Sequence, residues 1–186
     1  MNEDNETIVS FKNGDESAFS VLLRKYQDRI YTLCRYMLEN PQDADDAAQD
    51  TFIKAFQGLA SYSPTASFYT WLYRIAVNTC LDYKRKLSLR SLFLSSHDNA
   101  SLDVFPSHLP TPEAEFETKQ SMQSLQLALN RLSMKLRTVL VLKEIEGLSY
   151  EEVAEVLDVS IGTVKSRISR ARDELRKIIE KTTEQK

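Results

Sequence analysis

Glycine and proline are scarce in this chain of 186 residues, at 4 and 5. That scarcity excludes an all-β protein rich in tight turns. Cysteine occurs twice, as Cys34 and Cys80, which suits neither a disulfide framework nor a zinc site, so no metal or cofactor is expected. Long apolar runs are missing. The longest spans four residues, 139–142, against the roughly 20 that a membrane span needs. The amino terminus, MNEDNETI, is acidic and lacks the basic-then-apolar layout of a signal peptide. No charge sign dominates: 24 Lys and Arg stand against 27 Asp and Glu, a net charge of −3. A uniformly basic protein is excluded, although local blocks of either sign can hide in that total. A soluble, cytoplasmic, reducing setting is the expectation.

What the chain does contain is helical periodicity, interrupted once. Residues 95–118, SSHDNASLDVFPSHLPTPEAEFET, hold three prolines, five acids and no Lys or Arg. No helical or strand period survives there, so the segment reads as an acidic linker. It divides the chain into a domain at 1–94 and another at 119–186, and the fold class expected is all-α. Asp15 is placed to cap a long helix with apolar residues at three- and four-residue steps from Phe19 to Met37. Pro41 suits the first turn of a helix ending near Leu59. A Ser/Pro loop at 61–66 precedes a helix from about Ser67 to Leu87. Further helices are expected near 113–131 and 134–146, with Gly147 as the stop. Ser149 and Glu152 form a capping box for a short helix to Leu157, and the last helix starts near Ile161.

Three of these helices carry a second, chemically distinct face. In the last one, Val164, Ile168, Ala171 and Leu175 share the core side at 100° per residue. Lys165, Ser166, Ser169 and Arg170 fall opposite, with Arg167 and Arg172 on the flanks. Such side chains suit base edges in a major groove, with the flanking arginines on phosphates. The capped partner helix, the three-residue connection 158–160 and the small Ala154 complete a helix-turn-helix. A solvated basic helix ending a bundle is the plainer alternative.

In the helix at 67–87, Phe68, Leu72, Ile75, Ala76, Thr79 and Tyr83 make the buried side. Thr70, Trp71, Arg74, Asn78, Leu81 and Arg85 lie on the other, ending in the cations Lys84, Arg85 and Lys86. An aromatic, an amide and cations on one stripe suit stacked bases and a nucleic-acid backbone. Packing of Trp71 in the core is the alternative. In the helix at 41–59, Ala48, Phe52, Ala55, Phe56 and Leu59 are assigned to the core, and Asp43, Asp46, Asp50, Ile53 and Gln57 to the outside. Acids near a helix start favour the dipole, but that does not account for Asp50 or for an exposed Ile53. The stripe is a solvated face, a docking surface for a basic protein, or an Mg²⁺ site at Asp46 and Asp50. No phosphate-binding glycines, nucleophile with a base, or paired His/Cys ligands occur elsewhere, and His97 and His108 lie in the linker.

Three strings resemble one family when taken in order. DADDAAQDTFIKAF (43–56) resembles the core-polymerase-binding segment of bacterial sigma factors. SFYTWLYRIAVNT (67–79) with DYKRK (82–86) resembles their segment for melting and reading the −10 element. GLSYEEVAEVLDVSIGTVKSRISRAR (147–172) resembles their −35-reading helix-turn-helix. The short two-domain form is similar to the extracytoplasmic-function (group IV) sigma factors, and among these to the envelope-stress sigma-E type.

The resemblance implies a factor that performs no bond chemistry, binds core RNA polymerase and directs it to the promoters of a stress regulon. Asp43, Asp46, Asp50, Ile53 and Gln57 would meet the polymerase, at a coiled coil of the β′ subunit, with the β subunit as a further contact. Tyr62, Ser63, Thr65, Trp71, Arg74, Asn78, Lys84 and Arg85 would engage the −10 element. Lys165, Ser166, Arg167, Ser169, Arg170 and Arg172 would read the −35 element. The linker would thread toward the polymerase active site and the RNA exit path. An anti-sigma factor, often membrane-anchored in the family, would hold the chain inactive. The loop 61–66 departs from the pattern, being uncharged where relatives often carry Arg and Asp or Glu. The rival readings are a helix-turn-helix regulator acting without polymerase and a Mg²⁺-dependent hydrolase using Asp46 and Asp50.

Overall fold

The computed structural model describes residues 3–63, 67–94 and 123–183, all helices and short connections with no strand among the described residues. The first unit comprises α1 (Glu3–Lys12), a 3-10 turn (Glu16–Ala18) running into α2 (Phe19–Met37), α3 (Pro41–Leu59) and α4 (Phe68–Leu94). The second comprises α5 (123–130), α6 (Met134–Leu140) continued by a π turn (Val141–Ile145), α7 (Tyr150–Leu157) and α8 (Ile161–Thr183). The expected linker 95–118 and the first residues of the helix expected at 113–131 lie outside the described residues.

The helix ends have local causes. Asp15 accepts a hydrogen bond from the Ser17 amide at the start of the 3-10 turn. Asn40 accepts from the Gln42 amide, with Pro41 where a missing N–H costs nothing. Ser149 and Glu152 form the reciprocal capping box that opens α7. Gly147, at φ +74°, ends the helical run before it. Asp158 closes α7 in the left-handed region at φ 52°, which Asp tolerates better than most residues. That conformation makes the turn to α8 tight, and Ser160 caps α8 through the Thr163 amide.

Four details differ from the sequence reading. The acidic amino terminus forms α1, which buries Ile8 and Phe11, and α4 runs past Leu87 to Leu94. The core face of α3 is a small-residue face, Ala44, Ala47, Ala48, Thr51, Ala55 and Leu59. Small side chains let α2 and α4 approach α3 closely, which turns Phe52 and Phe56 toward the rim. Phe56 is exposed and packs edge-on against Phe11 of α1 and Phe19 of α2, at 5.3 and 5.2 Å between ring centroids. On α4, Thr70 is buried rather than outward, and Tyr73 and Val77 are buried as well.

Cys34 and Cys80 face inward as expected, but from α2 and α4 they also meet, with sulfurs 3.6 Å apart. The hydrogen bond between them and their burial push the Cys34 thiol well above its usual range. Both side chains are fully buried, so neither cysteine should react with a thiol reagent in the native protein, and both should react in denaturant, where the reactive thiolate is accessible. Cys34→Ala or Cys80→Ala should each cost about 1 kcal/mol of stability and leave the helix content unchanged in mildly oxidising buffer. Labelling followed by mass measurement, with denaturant melts of the variants, checks this.

Candidate nucleic-acid and partner interfaces

In α8, Val164, Ile168 and Ala171 are buried, and Leu175 packs against the core. Lys165, Ser166, Ser169, Arg170 and Arg172 are exposed, and Arg167 is half-buried. The division into a core stripe and an outward cationic face therefore holds for each residue assigned. Two of the cations are already engaged within the second unit. Lys165 lies over the Tyr150 ring, 5.7 Å from its centroid. Arg172 pairs with Glu144 at 2.6 Å, a hydrogen bond that raises the arginine's already high pKa. Both are solvated contacts of the kind worth little in water, so phosphate can replace them.

The face of α4 is less uniform. Arg74, Asn78 and Arg85 are exposed. Arg85 pairs with Asp82, and Lys84 is half-buried against Glu39. Trp71 is half-buried, its ring packed between Tyr62 and Phe68 with centroids 5.0 and 5.6 Å away. A Cβ at Gly58 would stand 3.2 Å from the Trp71 ring, so glycine lets the ring lie close on α3 at that point. Trp71 therefore serves packing and exposure together. Tyr62 requires correction as a nucleic-acid contact. It is 5% exposed, its ring meets Phe68 edge-on and Trp71 at a tilt, and its carbonyl accepts from Lys12. An amphipathic ring in a short uncharged loop gives no signal to separate inward from outward. Ser63 is exposed, and Thr65 lies outside the described residues.

On α3, Ile53 is 53% exposed and Gln57 is exposed, while Asp43, Asp46 and Asp50 are half-buried on the same side. Asp46 accepts from Gln42 at 3.3 Å, and Asp50 from the Tyr83 hydroxyl at 3.0 Å. Burial, followed by that bond to Asp50, pushes the Tyr83 phenol up to about 12. The stripe is thus an acidic surface with an apolar residue set in it and a tyrosine tying it to α4. Among the described residues, no group of three or more His, Cys, Asp or Glu converges as metal ligands would.

The sequence reading missed the seam between the two units. Arg29 of α2 donates to the Glu146 carbonyl at 2.7 Å and to its carboxylate at 3.4 Å, and the Tyr73 hydroxyl donates to the same carboxylate. Burial and then that bond raise the Tyr73 phenol. Arg74 donates to the Glu155 carbonyl of α7 at 3.2 Å. Arg137, 2% exposed, donates to the carbonyls of Leu129, Asn130 and Met37. These partners lie up to 117 positions apart, beyond any periodicity argument.

Comparison with known proteins follows the same division. Residues 22–90 match the family model described as sigma-70 region 2, and residues 122–175 the one described as sigma-70, region 4. The chain is 35% identical over 175 residues to the ECF RNA polymerase sigma-E factor of Haemophilus influenzae, covering 91% of this chain and 92% of that one. It is 37% identical over 174 residues to the ECF RNA polymerase sigma factor SigW of Bacillus subtilis, covering 91% and 93%. The sigma factor RpoE of Bartonella quintana, solved in complex with the anti-sigma factor NepR, superimposes with a TM-score of 0.69 at 26% identity, covering 87% of this chain and 96% of that one.

Proposed function

Since this chain belongs to the extracytoplasmic-function sigma factors and directs RNA polymerase to promoters, we propose how its surfaces divide that work. The unit at 1–94 docks on core polymerase and opens the −10 element, and the unit at 119–186 reads the −35 element. The acidic stretch 95–118 joins them. Asp43, Asp46, Asp50, Ile53 and Gln57 meet the β′ coiled coil, and the β subunit supplies a further contact. Arg74, Asn78, Lys84, Arg85 and the exposed edge of Trp71, with Ser63 and Thr65, hold the opened −10 strand. Unstacking a base costs a few kcal/mol, which stacking and hydrogen bonds in a protein pocket offset. Nothing in this division requires bond chemistry, so the factor is not an enzyme. It works in the cytoplasm, where an anti-sigma factor, often membrane-anchored in the family, holds it inactive.

The observation that carries the assignment is the set of two exposed cationic faces, one on each unit, beside a separate acidic face on α3. A regulator acting without polymerase has no use for the last. Two joined modules bind two promoter elements with a raised effective concentration for the second contact.

The α8 face gives the test. Arg170 has the planar fork that reaches guanine bidentately. Arg170→Ala should cost about 1–3 kcal/mol and relax the preference at one −35 position. Arg172→Ala should weaken binding evenly across sequences and lower the salt slope by about one. Transcription by the holoenzyme on a randomised −35 library separates the two. Unchanged base preferences with Arg170→Ala, or altered ones with Arg172→Ala, would overturn the division into reading face and phosphate flank.

A further inference from the structure

One residue of α1 reaches across to the −10 face. Lys12, in the last turn of that helix, donates to the Tyr62 carbonyl, 50 positions along the chain. Its ammonium also lies over the Tyr62 ring, 5.9 Å from the centroid. A single cation thus holds both the main chain and the ring of Tyr62. Tyr62 is buried, and the next residue, Ser63, is exposed. A peptide unit is planar and trans, so fixing the Tyr62 carbonyl also fixes the direction of the Ser63 N–H. The Tyr62 ring in turn packs against Trp71.

α1 is anchored firmly enough to act as a brace. At its other end Asp4, 5% exposed, accepts from the Tyr26 hydroxyl at 2.6 Å and pairs with Lys25 at 2.5 Å. Ile8 and Phe11 are buried between the two ends. The Tyr26 ring lies 5.6 Å from Phe68, and Phe68 packs on Trp71. The helix therefore meets the aromatic cluster around Trp71 by two routes, Asp4 through Tyr26 and Phe68, and Lys12 through Tyr62. A cation in the last turn also complements the helix dipole. That role needs no partner outside the helix, whereas Lys12 engages Tyr62 at two points.

We propose that Lys12 is a positioning residue for −10 recognition. It sets the Tyr62–Ser63 peptide and, through the Tyr62 ring, the edge of Trp71 that the opened strand meets. This rests on the assignment of the −10 face above. Lys12 acts through Tyr62 and not on a base: it narrows the arrangements open to the start of the loop, so the reading groups stand in place before DNA arrives.

The test compares the full wild-type chain with Lys12→Met, which keeps an unbranched stem and removes the donor, and Lys12→Arg, which keeps a cation and a donor. Trp71 is the only tryptophan, so its emission reports on the −10 face of the free chain. Acrylamide quenching of Trp71 should rise in Lys12→Met and stay at the wild-type value in Lys12→Arg. Transcription with core polymerase is then read on a library randomised at the −10 element. Lys12→Met should lower the preference at one position by about fivefold, the factor for about 1 kcal/mol of net hydrogen bonding. Lys12→Arg should keep that preference. Preferences at −35 and affinity for core polymerase should not change in either variant. Unchanged quenching in Lys12→Met would overturn the brace. An even loss of transcription on every template, or a loss of preference shared by Lys12→Arg, would overturn the positioning role. If quenching rises while the −10 preferences stay, Arg74→Ala on the same library separates two failures. Altered −10 preferences in Arg74→Ala would leave the −10 face standing and remove Lys12 from its service. Unaltered ones would overturn the −10 assignment, and this inference with it.

Discussion

Asp46→Arg is expected to weaken binding to core RNA polymerase by about 100-fold, which is about 2.7 kcal/mol. Placing like charges against each other at an interface costs several kcal/mol, and Asp46 stands half-buried amid Asp43, Asp50 and the exposed Ile53. Among the described residues Asp46 accepts an exposed hydrogen bond from Gln42 of its own helix, so the fold should survive the reversal. Asp50→Arg is less clean, because it also removes the acceptor of the Tyr83 hydroxyl. Ile53→Glu tests the apolar part of the same surface and should lower affinity by about tenfold, since it exchanges buried apolar contact for a desolvated charge. Titration of labelled core polymerase, with melts of each variant, checks both. Unchanged affinity in Asp46→Arg and Ile53→Glu together would remove α3 from the interface.

The largest stability loss is expected from Arg137→Ala. The guanidinium gives up hydrogen bonds to three carbonyls, those of Leu129, Asn130 and Met37. Bonds to a charged group contribute about 1.5–3 kcal/mol each, and orphaned buried acceptors cost more than absent ones. Burial lowers the Arg137 pKa, and Glu39 partly counters that, so the charge is held at a cost that these acceptors, with Glu39, offset. A loss on the order of 3 kcal/mol or more follows. Two of the carbonyls end α5 and the third ends α2, so the variant loosens the second unit and the seam together. Arg137→Lys, with one donor group in place of a fork, should recover only part of the loss. Denaturant unfolding of the three proteins measures this, and a loss below about 1 kcal/mol in Arg137→Ala would contradict it.

The sequence was most legible where local rules and tertiary packing agree. α8 starts at Ile161 and α7 ends at Leu157, as the capping box and the three-residue connection require. The α8 core stripe follows directly from helical period, because one neighbour, the rest of a small unit, covers one side. α3 was read out of phase for an opposite reason. Its large Phe52 and Phe56 invite a core assignment, yet helices on two sides press on its alanines, and Phe56 finds its partners on α1 and α2. Tyr73 was missed because the second unit covers a third side of α4 there, where the Tyr73 hydroxyl meets Glu146. Arg137 and Glu146 were illegible for the same reason. Glu146 finds its donors Arg29 and Tyr73 on the other unit, Arg137 reaches Met37 there as well as Leu129 and Asn130 in its own, and no pattern within either unit marks them for burial. Tyr62 was placed on the DNA by resemblance and lies in the core by packing, whereas Arg74 and Asn78, placed by face analysis, stand exposed.

The central claim is that this chain makes core polymerase promoter-specific through two separate reading faces. Run-off transcription from a pool of promoter templates, by core polymerase alone and with this chain added, tests it most directly. Addition should produce discrete transcripts whose templates share two sequence elements. Arg170→Ala should relax only the upstream element, and Arg74→Ala only the downstream one. No gain in specific transcripts over core alone, with tight duplex binding by the free chain instead, would contradict the account and favour a regulator that works without polymerase.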